Sequence, residues 1–381
     1  MPSTAHFKQR IVIIQEHLPH YRKRFFMLLR EALAAEGIDL RLIHGQAKDS
    51  RMMSESLDWA NPVQIRKIGP FAWHCLGDLC AGAELIIVPQ EVKYLRCHWL
   101  HLMSRLGGAK FAYWGHGRNF QATDARSLVE CCKRFLSRHV DWWFAYNALS
   151  AEIVKELGFP EVRITTVGNA IDTAGLTTRR AALDPEKLLE LRGSLGLPTR
   201  HVAVYTGGLY STKRIPFLLE AAKLIRQRIP DFHLLVIGDG PEQPLVQEAA
   251  VRFPWIHELG PMDDQAKVPY WALADVLLMP GGVGLVILDS FALGVPMVTT
   301  DTRLHGPEID YLENGINGVL VPCGDSVAQY ADAVAALLRN SAALDRFARG
   351  ARASASQHAL NGMVERFKQG VLSFLFRHHP V

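Results

Sequence analysis

Short apolar segments alternate with amphipathic segments along the chain, and this alternation limits the possible folds more than any other feature. It is most regular in the second half, where residues 215–228, 285–292 and 327–338 have helical periodicity. Short apolar runs occupy residues 202–206, 233–237, 276–279, 297–300 and 318–321. Runs of this kind are typical of parallel strands buried on both faces, which need helical crossovers between them. The pattern predicts a doubly wound α/β architecture.

The first half follows the same alternation. Residues 21–35 have helical spacing, and Gly37 ends that pattern as a helix C-cap does. Strands are predicted at residues 11–14, 40–43, 85–88, 110–114, 142–146 and 163–167. A length of 381 residues favours two domains. We place them at residues 1–173 and 174–360, with a polar connection at 173–198 and a C-terminal helix at 361–381 that packs back on the body.

Composition excludes several protein classes. Hydrophobic residues make up 49% of the chain and charged residues 21%, which is ordinary for a globular protein. The six cysteines show no CxxC spacing, so the sequence contains neither a zinc-ribbon motif nor a thioredoxin-like motif. Because no apolar run approaches the roughly 18 residues that span a bilayer, we expect a cytoplasmic protein, at most peripheral at the inner face of the membrane. Residues 364–376 form either a helix packed on the body or a membrane-surface contact.

A glycine turn follows the predicted strand at residues 202–206. Gly207 and Gly208 let the backbone come close to a ligand, and the following helix favours an anion at its N-terminus. Lys213 adds a full positive charge beside the turn. The pattern indicates a diphosphate site, although a plain strand-to-helix turn with a solvated lysine has the same sequence.

A second glycine-rich loop lies between the strand at residues 276–279 and the helix at 285–292. It consists of Gly282, Val283, Gly284 and Leu285. Such a loop at the carboxyl edge of a sheet is typical of phosphate approach. Asp289, one helical turn further on, is a candidate acceptor for sugar or ribose hydroxyls. The alternative is a tight turn followed by an acidic residue that the helix dipole stabilises.

The first half has candidate residues of its own. His116 lies between two glycines after a predicted strand, where open α/β sheets bind ligands, and Arg118 beside it suits a phosphate or an anionic acceptor. Tyr21 and Arg22 begin a basic segment at the start of the first helix. That segment suits an anionic acceptor or an anionic membrane surface, and a solvated basic face is the plain alternative.

Two common nucleotide-binding motifs are absent. Gly238 and Gly240 resemble the dinucleotide fingerprint, but Gln243 stands where the third Gly or Ala is required. No GxxxxGK[ST] segment occurs, which excludes a P-loop kinase. We expect no nucleic-acid partner.

In order and spacing, these motifs resemble the retaining GT-B glycosyltransferases of family GT4, the glycosyl transferases group 1. The resemblance covers nearly the whole chain and is clearest over residues 168–322. Its landmarks are the segments 168–173 (GNAIDT), 207–213 (GGLYSTK), 238–241 (GDGP), 282–285 (GVGL) and 314–318 (NGING), with Glu308 before the last of them. The resemblance implies a GT-B fold, with two Rossmann-like doubly wound parallel-sheet domains facing a central cleft.

The resemblance also implies roles for individual residues. Lys213 would hold the donor diphosphate, and the amides of residues 282–285 would bind phosphate or sugar. Asp289 would grip the ribose, and His116 would lie near the donor sugar. The donor is a nucleotide diphosphate sugar that acts as co-substrate, and the family requires no metal ion or other cofactor. Independently of the resemblance, the basic residues of the first domain lead us to expect that it binds the acceptor, a glycan or a lipid-linked molecule, through Tyr21, Arg22 and Arg118.

The chain departs from the family pattern at three charged positions. The paired glutamates of the family fall here on Gly281 and Asp289, and Gly208 replaces the diphosphate-binding arginine. We therefore predict a metal-independent hexosyltransferase of cell-surface polysaccharide or glycolipid synthesis, and keep two alternatives. One is a sugar-nucleotide epimerase on the same fold, and the other is a catalytically silent subunit that binds nucleotide sugars.

Overall fold

A computed structural model describes residues 8–45, 57–117 and 134–378 of the chain. The chain divides into two compact units. The first unit comprises residues 1–171 and 360–381, and the second comprises residues 172–359. Each has its own parallel sheet, as the alternation of apolar and amphipathic segments predicted.

Seven strands form the sheet of the first unit within its described residues, in the order β3-β2-β1-β6-β7-β8-β9. They are β1 (Gln9–Gln15), β2 (Ile38–Gly45), β3 (Asn61–Val63), β6 (Leu85–Pro89), β7 (Lys110–Gly115), β8 (Trp142–Ala145) and β9 (Ile164–Thr166), and all pair in parallel. An antiparallel hairpin of β4 (Ile65–Ile68) and β5 (Phe71–His74) was not predicted. Helices α1 (Lys23–Ala34), α2 (Leu95–Arg105) and α3 (Ala148–Glu156) connect the strands. Residues 11–14 of β1 are fully buried, as expected of a central parallel strand.

Six parallel strands form the sheet of the second unit, which is described throughout, in the order β12-β11-β10-β13-β14-β15. They are β10 (Val202–Thr206), β11 (His233–Ile237), β12 (Ile256–Gly260), β13 (Val276–Met279), β14 (Met297–Thr300) and β15 (Gly318–Val321). The helices are α4 (Thr173–Ala181), α5 (Pro185–Ser194), α6 (Ile215–Arg228), α7 (Gln243–Arg252), α8 (Asp264–Ala272), α9 (Val286–Leu293), α10 (Val327–Leu338) and α11 (Ser341–Gln357). The order reverses at β10, and β10 and β13 end beside the two glycine-rich turns.

Residues 173–198, which we predicted to be a polar connection between the domains, form the two helices α4 and α5. Each helix begins at an aspartate that caps it. Asp172 accepts a hydrogen bond from the amide of Gly175 at 3.0 Å, and Asp184 accepts one from the amide of Glu186 at 2.9 Å. The polar composition of the segment reflects outward-facing helix surfaces and not a lack of structure.

The last helix, α12 (Leu360–His378), belongs to the first unit. Its apolar stripe, which includes Phe367, Val371 and Phe374, is buried, and the ring of Phe367 stacks on that of Phe144 in β8 with 4.3 Å between the centroids. The sequence left two alternatives open, packing on the body or contact with a membrane surface. Along this stripe the helix packs on the body. None of the helices in the described part of the chain has the length and apolarity needed to cross a membrane.

Two helical glycines give opposite predictions for the same substitution. A Cβ at Gly350 in α11 would overlap the carbonyl oxygen of Ile316 and lie 2.8 Å from its carbon, whereas one at Gly193 in α5 would meet no atom within 4 Å. We expect Gly350→Ala to lower the free energy of unfolding of the second unit by about 1–3 kcal/mol. The control Gly193→Ala should leave it unchanged or raise it by up to about 1 kcal/mol. Urea unfolding followed by circular dichroism measures both, and equal midpoints would contradict this account of α11 packing.

Candidate functional site

The glycine turn after β10, which contains Gly207 and Gly208, is hydrogen-bonded to the turn after β11, which contains Gly238 and Gly240. The amide of Gly207 donates to the carbonyl of Ile237 at 3.0 Å, and that of Leu209 donates to the carbonyl of Asp239 at 2.7 Å. Gly238 has a φ of +148°, and a Cβ there would overlap the carbonyl group of Gly207. Because only glycine fits that position, the two turns form one rigid edge of the second unit.

Lys213 meets the second glycine-rich loop directly. It ends a 3-10 turn, Ser211–Lys213, and its ammonium donates to the carbonyl oxygen of Gly282. In return, the amide of Gly282 donates to the carbonyl of Thr212 at 2.8 Å. The structure therefore brings together Lys213 and the loop after β13, which were predicted to act on the same ligand.

The ammonium of Lys213 is in a water-poor environment. Burial lowers the pKa of Lys213 to about 8, and the carboxylate of Glu308 partly opposes this effect. Near neutral pH the side chain is charged, but its charge is poorly compensated by water. An anion bound beside the ammonium would supply the stabilisation that water does not.

An unpredicted histidine braces the second loop. His305 is buried, and its Nδ1 accepts a hydrogen bond from the amide of Val283 at 3.1 Å while Nε2 donates to the carbonyl of Thr300 at 2.7 Å. Gly306 then donates its amide to the carbonyl of Val283 at 2.8 Å. Burial lowers the pKa of His305, which favours the neutral tautomer that these two bonds need. The amides of Gly282 and Val283 are thus used within the protein and not available for a ligand, unlike the prediction for this loop.

The rest of the loop leads into the N-terminus of α9. Leu285 is the N-cap residue of α9, and no side chain of this fully described unit donates or accepts a capping hydrogen bond there. The first amides of a helix have no intrahelical partner and carry the positive end of its dipole. A Cβ at Gly284 would meet no atom within 4 Å, so this part of the loop faces open space. An anion can approach the amides here.

Asp289 is held by a lysine that the sequence analysis did not single out. Its carboxylate lies 2.8 Å from the ammonium of Lys267, and both side chains are only 8% exposed. Lys267 also contacts Asp264 at 2.7 Å. Burial opposes the charge of Lys267, but the two carboxylates outweigh it and raise the pKa of the ammonium. Asp289 is therefore oriented by a buried ion pair.

His116 follows β7 in the first unit, as predicted. Its Nδ1 lies 3.4 Å from the hydroxyl of Ser150, and its ring lies 4.3 Å from the ring of Tyr146, centroid to centroid. Burial lowers the pKa of His116 to about 4, and the cation of Arg22 adds to the effect. The imidazole is therefore neutral at pH 7 and can both donate and accept a hydrogen bond.

Arg22 is buried in this same cluster and does not form part of an exposed basic face. Its guanidinium donates to the side chain of Asn169 and to the carbonyl of Ala170 at 3.4 Å, and it lies 5.4 Å from the ring centroid of Trp114. Tyr21 beside it is half-buried. The predicted acceptor residue Arg118 lies outside the described residues. Within the described ranges, no cluster of three or more His, Cys, Asp or Glu side chains could hold a metal ion.

The second unit is similar in sequence to known glycosyltransferases. Residues 200–340 match the family model described as glycosyl transferases group 1. A phosphatidyl-myo-inositol mannosyltransferase of Mycobacterium leprae is 36% identical over 165 residues, which are 42% of this chain and 43% of that protein. A GDP-mannose-dependent alpha-(1-6)-phosphatidylinositol monomannoside mannosyltransferase of Mycobacterium tuberculosis is 30% identical over 183 residues, 43% of this chain and 45% of that protein. The chain thus spans less than half the length of these curated relatives.

Solved structures match over much more of the chain. Anabaena HepE in complex with UDP has a TM-score of 0.74 at 16% identity and covers 96% of this chain and 100% of its own. Sucrose-phosphate synthase of Thermosynechococcus elongatus has a TM-score of 0.70 at 17% identity, with 98% and 100% covered. These matches confirm the GT-B fold, and the family match confirms the predicted resemblance to the group 1 glycosyltransferases.

The ion pair around Asp289 predicts the effect of removing its lysine. Lys267→Met leaves the buried carboxylate of Asp289 without its cation, which should cost about 3–5 kcal/mol of unfolding free energy. The double variant Lys267→Met/Asp289→Leu removes both charges and should recover most of that loss. Denaturant unfolding of the three proteins tests this. If the double variant is no more stable than Lys267→Met, the pairing does not govern the stability of α8 and α9.

Proposed function

We propose that this chain is a retaining glycosyltransferase that moves a sugar from a nucleotide diphosphate sugar to a glycan or lipid-linked acceptor. The observation that carries the proposal is the position of Lys213 against the loop that opens α9. A partly buried cation and a helix N-terminus converge there, which is what a leaving diphosphate requires.

The proposed chemistry breaks the bond between the anomeric carbon of the sugar and the diphosphate oxygen. Negative charge grows on that oxygen, and Lys213 with the amides of Gly284 and Leu285 would stabilise it. The acceptor hydroxyl forms the new bond on the same face of the sugar and gives up its proton to the departing diphosphate oxygen. Charge stabilisation of this kind usually supplies the largest share of the reduction in barrier.

Two other predicted residues keep their roles as proposals. Asp289 would accept hydrogen bonds from the ribose hydroxyls, with Lys267 fixing the direction of its carboxylate. His116, as a neutral imidazole, would hydrogen-bond a hydroxyl of the donor sugar. We further propose that no metal ion takes part, because Lys213 and α9 supply positive charge at the diphosphate. Activity that survives excess EDTA would support this, and activity that requires added Mg²⁺ or Mn²⁺ would contradict it.

The acceptor is proposed to be presented at an anionic membrane surface. The names of the mycobacterial relatives specify phosphatidylinositol acceptors. On α2 of the first unit and its C-cap, Trp99, Leu102 and Leu106 follow one another at helical spacing and are 46–72% exposed, with the exposed cation of Arg105 beside them. An apolar face next to a cation suits the boundary between lipid headgroups and acyl chains. Tyr21, Arg22 and Arg118 stay predicted acceptor contacts.

Incubation with a panel of GDP and UDP sugars tests the proposed activity, because the base and the sugar are not specified by the residues. Slow hydrolysis of one donor, or transfer to a lipid extract with retained anomeric configuration, supports the proposal. An isomerised donor would identify an epimerase instead. Nucleotide-sugar binding without any turnover would identify a silent binding subunit.

The pKa of Lys213 predicts how diphosphate binding depends on pH. Below pH 8 the lysine is charged before and after binding, whereas above pH 8 the free protein has lost the proton and must take it up again to bind. Affinity for GDP or UDP should therefore fall roughly tenfold from pH 7 to pH 9. Calorimetric titration measures this. Lys213→Arg keeps its charge over this range and should lose the pH dependence, so a variant with the same fall would exclude Lys213 as the titrating group.

The exposed face of α2 predicts membrane attachment. Leu102→Glu places a charge among Trp99 and Leu106 and should reduce binding to vesicles of phosphatidylglycerol and phosphatidylcholine at least tenfold, since it removes apolar burial and adds charge repulsion. Val251→Glu in the second unit is the matched control, because Val251 is 90% exposed. Cosedimentation measures both. Equal binding of the two variants would contradict the proposed surface.

A further inference from the structure

Tyr210 lies in the candidate donor site, and neither the motifs nor the family resemblance assigns it a role. It has extended backbone angles and precedes the 3-10 turn Ser211–Lys213, whose last amide donates to the carbonyl of Tyr210 at 2.8 Å. Its side chain is 42% exposed. The residue is therefore fixed at its backbone and open to a ligand at its ring.

The ring of Tyr210 occupies the space that a side chain at position 208 would need. A Cβ added to Gly208 would overlap the ring edge and lie 2.8 Å from its Cδ1 atom. The backbone at this point cannot easily move aside, because the carbonyl of Gly208 accepts a hydrogen bond from the hydroxyl of Tyr205 at 2.8 Å. The amide of Leu209 is held by Asp239 as well. A side chain at 208 and the observed position of the ring exclude each other.

The same ring lies beside the cation of the site. The ammonium of Lys213 is 5.7 Å from the ring centroid of Tyr210, a distance at which the cation is attracted to the ring. Burial raises the pKa of Tyr210, so its hydroxyl is neutral and acts as a hydrogen-bond donor at neutral pH. The ring of Tyr210 and the cation of Lys213 are thus neighbours in the candidate site.

The space that a side chain at position 281 would need, where the family has its other charged residue, is also occupied by a neighbouring residue. A Cβ at Gly281 would overlap the backbone of Lys213 and lie 2.5 Å from its Cα atom. Gly281 is therefore required by the backbone of Lys213, whereas a side chain at position 208 would require the ring of Tyr210 to move. Both neighbours belong to the 210–213 segment, which supplies the cation and the aromatic ring beside it.

We infer that Tyr210 is a donor-binding residue that stands in for the missing charge at position 208, its hydroxyl donating a hydrogen bond to the diphosphate that Lys213 neutralises. The inference rests on the proposed function, since it names a contact within the same nucleotide-sugar site. A hydrogen bond to a charged oxygen distinguishes a diphosphate from a ligand without one. The hydroxyl should therefore matter for nucleoside diphosphates and not for the nucleoside itself.

Calorimetric titration of the full chain with GDP and with UDP provides the test. Tyr210→Phe keeps the ring and removes the hydroxyl, and should weaken binding of the preferred diphosphate roughly tenfold while leaving binding of its nucleoside within about twofold. Tyr270→Phe, at a half-buried tyrosine of α8, is the control and should bind as the wild type does. If Tyr210→Phe binds the diphosphate as tightly as the wild type, the inference is overturned while the proposed function stands. If the wild type binds neither GDP nor UDP, both are overturned.

A second pair of variants tests the exclusion between position 208 and the ring. Gly208→Arg should lower the affinity for the diphosphate at least tenfold, because the new side chain displaces Tyr210. Adding Tyr210→Gly makes room for the arginine and should restore most of the binding through its charge. Restored binding supports a shared subsite. If Gly208→Arg alone binds as well as the wild type, the ring does not hold that space and the inference fails.

Discussion

The reciprocal contact between the turn that ends at Lys213 and the loop after β13 is the constraint on which the rest of the site depends. The amide of Gly282 donates to Thr212, and the ammonium of Lys213 donates to the carbonyl of Gly282. This contact fixes the cation at the beginning of α9 before any ligand arrives. A charge that is already in place needs no reorganisation when an anion binds or forms, which is the physical basis of electrostatic preorganisation. The contact also engages the amide of Gly282, so a bound anion would contact the loop amides nearer α9 instead.

Charge balance within the second unit favours a ligand at Lys213 and not at Lys267. Lys267 has two carboxylates within 2.8 Å, so its charge is already neutralised. Burial lowers the pKa of Lys213, and the carboxylate of Glu308 offsets this effect only in part. An incompletely compensated cation gains most from an added anion. We therefore propose different roles for the two lysines: Lys267 orients Asp289, and Lys213 would bind the anion.

Much of the fold could be predicted from the sequence, because buried strands and amphipathic helices leave a local pattern. The bounds predicted for α6, β11, β13 and α10 are those of the structure. The two helices within residues 173–198 were not predicted, because the polar composition was given more weight than the capping signals of Asp172 and Asp184. In the site, Lys213 was predicted from its motif. His305 and Lys267 were not, since each acts on a residue 22 positions away through a contact that depends on how separate elements pack.

The two glycines that depart from the family pattern illustrate why a residue cannot be interpreted apart from its neighbours. From the sequence, Gly208 and Gly281 indicate lost charges, and that loss motivates the alternative of a silent subunit. In the structure each glycine lies against a neighbour that a Cβ would overlap, the ring of Tyr210 in one case and the backbone of Lys213 in the other. Both neighbours belong to one short turn, so the two glycines have a common structural explanation. Under the role that we propose for Tyr210, they provide the room that this turn needs, and donor binding would depend on residues 210–213.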